Sequence, residues 1–240
     1  MRYAVISDIH ANLHALEAVL EDIESRAVET LVCLGDIVGY GAYPEECVQR
    51  VRSLGCLTVA GNHDYAALDK ISIEHFNPLA RAATLWTRDN LSESAREFLD
   101  SIGLVEELPD ASFVHGSYHS PELFDYVQTS YDAFLSLSKM PRRICFIGHS
   151  HVPVTFQQNP TITFTLEENI DVPADGKTLV NVGSVGQPRD QNPRASYAVY
   201  DDDEARVWIC RVPYDIEGAA AGISDKGLPS ALGERLKVGR

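Results

Sequence analysis

Asp8-x-His10, Gly35-Asp36, Gly61-Asn62-His63-Asp64, His115 and Gly148-His149-Ser150-His151 each stand where a short apolar run ends. Five of the eight histidines of the chain fall in this set. Imidazole nitrogen, carboxylate oxygen and amide oxygen suit divalent Mn, Fe, Ni, Co or Zn, and no Cys-x-x-Cys pair offers a thiolate alternative. A carboxylate can bridge two such ions. Two metals about 3.5–4 Å apart can bind a phosphoryl oxygen and lower the pKa of a shared water, whose hydroxide attacks phosphorus in line with the leaving oxygen. Taken singly, each residue has a commoner role. Aspartate after a strand usually caps or turns, a lone buried histidine is usually a hydrogen-bonded core residue, and a loop asparagine is usually just polar. Their occurrence together at successive strand ends weighs against those roles, because random placement would scatter them over helices and surface.

The elements that must position this set are legible as patterns. Arg2–Ser7 reads as a buried strand, followed by Leu13, Leu16, Val19, Leu20 and Ile23 at helical spacing with Asn12 as the cap. Thr30–Leu34 is a second strand, Pro44-Glu45-Glu46 opens a second helix, and Cys56–Ala60 is a third strand. This β-α-β-α-β order predicts parallel strands with right-handed crossovers. In such a sheet, sites form at the carboxyl ends of the strands. Leu79–Asn90 and Ser92–Ile102 read as helices, and Ser112–Val114 and Arg143–Ile147 as strands leading to His115 and His149. The second half changes to strands joined by turns: Val154–Gln157, Thr161–Leu166, Thr178–Val182, Ser196–Tyr200 and Arg206–Val212. The pattern predicts one α/β domain over residues 1–240, with two packed sheets, flanking helices and a peripheral C-terminal tail from residue 216 to 240.

Composition narrows the partners. The 240 residues are 45% hydrophobic, enough for a sizeable core without staples. The five cysteines are odd in number, and Cys33 and Cys145 sit in apolar runs as small buried thiols, which predicts a reducing, cytoplasmic setting. A strand begins almost at Met1, with no room for a signal peptide, and no apolar run approaches a membrane span. The formal charge of −15 disfavours long nucleic acids. A homodimer is the default oligomer.

The order of the five blocks resembles that of the calcineurin-like metallophosphoesterases. It reads Ser7-Asp8-Ile9-His10, Leu34-Gly35-Asp36, Gly61-Asn62-His63-Asp64, Val114-His115-Gly116 and Gly148-His149-Ser150-His151. The resemblance implies a four-layer α/β/β/α sandwich with two packed mixed sheets flanked by helices. It also implies a dinuclear metal centre. By resemblance Asp8, His10 and His151 bind one metal, Asn62, His115 and His149 the other, and Asp36 bridges both. His63 would contact the phosphoryl group or protonate the leaving oxygen. Asp64 would orient His63 and raise its pKa. Ala11 stands where relatives often carry glycine, and the segment Asp36–Gly41 lacks the arginine found after Gly-Asp in protein serine/threonine phosphatases. The chain looks more like the compact bacterial and archaeal branch, with its small phosphodiesterases and asymmetric dinucleoside tetraphosphate hydrolases.

These residues predict a phosphoric ester hydrolase acting on a small phosphorylated substrate: a monoester, a phosphodiester or a dinucleoside polyphosphate. The alternatives are a non-catalytic binding or scaffold module on the same fold, and, ranked lower for its acidic surface, a nuclease. Substrate contacts are expected from Arg189, Tyr40 and His119, with Tyr43 and Tyr126 as further stacking candidates. The turn-rich segment Asn181–Arg189 reads equally as a phosphate-holding loop and as a structural loop under the metals.

Overall fold

The computed structural model describes residues 1–240. Strand β1 (Arg2–Ile6), helix α1 (Leu13–Glu24), β2 (Thr30–Cys33), α2 (Pro44–Leu54) and β3 (Leu57–Thr58) follow the expected order, and the three strands run parallel. Asn12 caps α1 by accepting from the Ala15 N–H. Pro44 and two glutamates occupy the first turn of α2. β3 is shorter than the Cys56–Ala60 run suggests. It lies at the sheet edge, and Val59 adds only an isolated bridge to Gly103 before the chain turns into the site.

The remainder runs α3 (Asn62–Ala67), α4 (Pro78–Asn90), α5 (Glu93–Asp100), β4 (Val105–Glu107), β5 (Ala111–Val114), α6 (Ser130–Lys139) and β6 (Ile144–Ile147). Then come β7 (Val154–Gln158), β8 (Ile162–Thr165), β9 (Asn169–Asp171), β10 (Lys177–Asn181), β11 (Ala195–Asp201), β12 (Arg206–Val212), α7 (Ile216–Asp225) and α8 (Ala231–Val238). The strands form two mixed six-stranded sheets, ordered β3-β2-β1-β11-β12-β9 and β4-β5-β6-β10-β7-β8. Four of these elements, α3, α6, β4 and β9, are not evident in the hydrophobic pattern. Both strands have only three residues, too few for alternation to register. The signal for α6 was its capping box, Thr129 with Asp132, rather than its periodicity.

Alternate residues of each strand face opposite ways, so both faces of β1 are buried in different cores. Ala4 and Ile6 pack with Leu16 and Val19 of α1, Val48 of α2 and Leu99 of α5. Tyr3 and Val5 pack with Phe113 of β5, Phe146 of β6 and Val180 of β10, between the two sheets. Cys145 and Ile147 face Ala133 and Leu137 of α6 on the far side. The layers are therefore helices, sheet, sheet and helix. Double burial explains why these strands read as continuous apolar runs.

The tail expected to be peripheral forms α7 and α8. Leu232 and Leu236 of α8 are buried in a cluster with Tyr40, Ala42 and Ala80. The reason is an apolar face left uncovered by the loop after β2, which the tail closes. No helix is long and apolar enough to cross a membrane.

Candidate metal centre

The site lies at the carboxyl ends of β1, β2, β5 and β6 and at the start of α3. β1 delivers Asp8 and His10, β2 delivers Asp36, β5 delivers His115, and β6 delivers His149 and His151. Asn62 and His63 occupy the first turn of α3. All of these except Asn62 are at most 6% exposed. Asp8, His10, Asp36, His149 and His151 have φ between 49° and 67°, a left-handed backbone that non-glycine residues rarely adopt. Strain clustered in this way is a mark of a site whose surroundings hold it in place. Ala11 also has φ 52°, so the methyl that replaces the common glycine is carried at some cost.

Each carboxylate is locked by one oxygen and free at the other. Asp8 Oδ2 accepts from Ser7 Oγ at 2.7 Å and from the His149 N–H at 3.0 Å. Asp36 Oδ1 accepts from the His63 N–H at 2.8 Å. Asp8 Oδ1, Asp36 Oδ2 and Asn62 Oδ1 are buried without a hydrogen-bond partner. Buried polar atoms are rarely left so, and three together call for a cation.

The imidazoles are oriented the same way. Nδ1–H of His10 donates to the Val38 carbonyl at 3.1 Å, that of His115 to the Leu34 carbonyl at 2.8 Å, and that of His151 to the Gln187 carbonyl at 2.6 Å. Each bond orients the ring and turns Nε2 inward. His10 and His151 bring their Nε2 atoms within 3.0 Å of each other, and His115 Nε2 stands 3.1 Å from His149 Nδ1. The donor atoms form two groups, Asp8–His10–Asp36–His151 and Asp36–His115–His149, each within a 4.8 Å span. Asp36 belongs to both. Nε2 of His10 and of His115 lie 3.6 and 3.4 Å from its free oxygen. The set fits two divalent cations with nitrogen and oxygen donors and no thiolate.

Electrostatics agree with that fit. Burial alone would raise Asp8 and Asp36, but the facing histidines hold both below the usual carboxylate range. Burial lowers His10 and His151 and takes His149 down to about 3. Burial also opposes the charge on His115, yet Asp36 and Asp8 raise it to about 9.

Two expected roles change. The Asp64 carboxylate makes no hydrogen bond with the His63 ring. It accepts from the N–H groups of Ile37 at 2.9 Å, Val38 at 3.2 Å and Gly61 at 2.9 Å, so it clamps the Asp36 loop to the start of α3. Burial and the Asp36 charge raise it to about 7. His63 Nδ1 is buried without a partner, and burial lowers His63 to about 4 instead of the expected rise. Gly39, at φ +92°, makes room for this ring. A Cβ there would lie 2.6 Å from His63 Nδ1. His119 is exposed, and its N–H is tied to Ser117 Oγ, away from the cleft. The local turn, not the site, sets its position.

The segment 181–189 is a structural loop beneath the donors. Its Val185 and Gly186 N–H groups donate to the Ser7 and Asp8 carbonyls, both at 2.9 Å, and Ser184 Oγ donates to the Asp8 carbonyl at 2.8 Å. At its end Arg189 emerges beside the centre and donates to Tyr40 Oη at 3.4 Å. A cleft of about 360 Å³ opens over the donors, lined by Tyr40, Asn62, His63, Phe76, Phe124, Tyr126 and His149. Tyr126 stacks on His149 with ring centroids 3.9 Å apart. Tyr40 lies edge-on to His10 at 4.8 Å. Phe76 and Phe124 carried no signal in the sequence, since isolated aromatics in loops are usually packing.

A model of the calcineurin-like phosphoesterase superfamily domain matches residues 1–205. A metallophosphoesterase structure from Sphaerobacter thermophilus is 40% identical, with a TM-score of 0.88 over 100% of this chain and 99% of that one. An uncharacterized protein of Methanocaldococcus jannaschii is 43% identical over 99% of this chain and 98% of its own length. Phosphodiesterase YfcE of Escherichia coli K12 is 27% identical over 86% of this chain and 91% of its own.

Proposed function

The chain belongs to the calcineurin-like phosphoesterase superfamily, and we propose that it hydrolyses a small phosphate ester at a dinuclear metal centre. The observation that carries this reading is Asp36. It is shared by two buried donor groups, with one oxygen locked and the other free. Asp8, His10 and His151 would hold one ion, Asn62, His115 and His149 the other, and Asp36 both. Two such ions supply Lewis-acid binding of a phosphoryl oxygen and a water acidified enough to attack phosphorus near neutral pH.

The remaining work falls to side chains of the cleft. His63 lines the cleft and is ligated by nothing, so its ring is free to meet the phosphoryl group. Burial keeps it neutral at rest; an arriving phosphate dianion favours the imidazolium, which can then protonate the leaving oxygen. Tyr40, Phe76 and Tyr126 offer an apolar wall to the ester group. Phosphodiester hydrolysis gains support from the named activity of the Escherichia coli relative. The acidic surface favours small substrates over long nucleic acid.

The test is hydrolysis of nitrophenyl phosphate and bis-nitrophenyl phosphate by protein loaded in turn with Mn, Fe, Ni, Co or Zn. Activity should vanish with chelation and return on adding metal. Full activity in metal-stripped protein would overturn the reading. Protein that neither binds metal nor turns over either ester would favour the scaffold alternative.

A further inference from the structure

Arg189 and Arg235 converge on one aromatic ring. The Arg189 Cζ lies 5.7 Å from the Tyr40 ring centroid and the Arg235 Cζ lies 5.9 Å from it. That ring is 4.8 Å from His10 and 4.6 Å from His63, so the two guanidiniums stand one side chain away from the donor set. The Arg189 N–H is tied to the His151 carbonyl at 3.2 Å, which fixes where its side chain begins. Arg235 comes from α8, outside the residues 1–205 that the family model matches.

The pair is unusual in its partners. The chain carries 35 acids against 20 bases, so a carboxylate is easily found, yet neither guanidinium meets a carboxylate side chain within 4.0 Å. Arg189 donates to Gln187 Oε1 at 2.9 Å and to Tyr40 Oη at 3.4 Å. Arg235 donates from Nε to a carboxyl oxygen of Arg240, the last residue of the chain, at 2.7 Å, and its two terminal nitrogens make no hydrogen bond within the protein. Burial and the Arg189 charge together disfavour the Arg235 cation. A cation–π contact with Tyr40 would account for one guanidinium. A second guanidinium on the same ring adds repulsion and desolvation, which a bound anion would relieve.

We propose that Arg189 and Arg235 form a second anion subsite beside the metal centre, which takes a phosphate group adjoining the reacting phosphoryl group. The substrate class is then a phosphoanhydride, a nucleoside diphosphate or a longer polyphosphate, rather than a simple monoester. Its turnover rests on the phosphoesterase reading above; its binding does not.

The experiment is calorimetric titration of metal-loaded protein with α,β-methylene-ADP and with AMP, which differ by one phosphate. The intact chain should bind the diphosphate at least about tenfold more tightly than the monophosphate, as expected for charge-assisted bonds to one extra phosphate. Arg235→Gln should reduce that preference to about twofold or less, Arg235→Lys should restore part of it, and Lys237→Gln on the same helix should keep it. Thermal melting of each variant checks that α8 stays docked. No preference in the intact chain, or a preference kept in Arg235→Gln, overturns the subsite. Loss of metal-dependent nitrophenyl phosphate hydrolysis would instead count against the phosphoesterase reading, and the diphosphate preference would still score the subsite.

Discussion

The His63 main-chain N–H donates to Asp36 Oδ1 at 2.8 Å, so the carboxylate shared by both donor groups also anchors the first turn of α3. Asn62 and His63 are thereby set by the same residue that both donor groups share. Asp36→Asn should keep this bond if the amide oxygen takes the Oδ1 place, but it removes the bridging charge. Metal content measured by plasma emission should fall from two ions per chain toward one, and turnover should drop by at least about a hundredfold. Two retained ions with near-normal turnover would remove Asp36 from the bridging role.

His63 is buried against Tyr40 and Phe76, with ring centroids 4.6 and 5.0 Å away, and its Nδ1 contacts no protein acceptor. It is therefore separable from the ligands. His63→Ala should leave both metals bound while lowering kcat about 10²–10⁴-fold, the usual range for a lost proton donor. Esters with good leaving groups, such as nitrophenolate, should suffer least. Loss of a metal in this variant would reassign His63 as a ligand.

Asp64 is expected to act through the backbone. Its two oxygens receive three N–H groups, and an asparagine offers only one acceptor oxygen. Asp64→Asn should cost about 2–3 kcal/mol in urea unfolding, because an amide NH₂ is then pressed against a main-chain N–H. Activity should fall with the loss of metal. If stability were unchanged and only the pH profile moved, the residue would be acting on His63 after all.

Much of the centre was readable because strand ends are punctuated by the donors themselves. Asp8, Asp36, His115 and His149 each follow an apolar run that is buried on both faces, and the parallel β-α-β-α-β order implies that such ends share one edge. What was not readable depends on contacts remote in sequence. Asp64 is adjacent to His63 in the chain, yet it points at N–H groups of residues 37 and 38. Arg235 lies in a tail that reads as peripheral, because the surface it covers, around Tyr40 and Ala42, is created only on folding. Tyr126 gave no more signal than Tyr43 or His119, and only its stack on His149 separates them.

Metal binding at His115 would require the loss of a proton. Asp36 and Asp8 raise His115 to about 9 in the metal-free chain, so at about pH 7.5 the imidazole is charged, whereas a ligand must be neutral. Metal uptake at that pH should release about one proton per chain from this residue, and affinity should fall as pH drops from about 9 toward 6. Calorimetry in two buffers of different ionisation enthalpy reads the proton count. His115→Asn should remove the release along with one metal. An uptake with no proton release would mean that His115 is neutral before metal arrives.

Asp201 sets a pH dependence remote from the centre. Its carboxylate joins the end of β11 to β1, accepting from Arg2 Nε at 3.0 Å and Arg2 Nη2 at 2.7 Å. It also accepts from the N–H groups of Asp203 at 3.0 Å and Glu204 at 3.1 Å, which shape the turn into β12. Burial alone would raise it, but these bonds outweigh burial and lower it from the usual carboxylate value. A carboxylate depressed on folding contributes stability that is fully present above its unfolded pKa of about 4 and is lost as pH falls through the folded value. Asp201→Asn should therefore cost about 1–2 kcal/mol in urea unfolding near neutral pH, with metal at saturation in both proteins. The gap should begin to shrink below about pH 4 and close only as pH falls through the lowered native value, beneath which the native carboxyl is also neutral. A gap that persists unchanged into acid would mean that the bond geometry, and not the charge, is what Asp201 contributes.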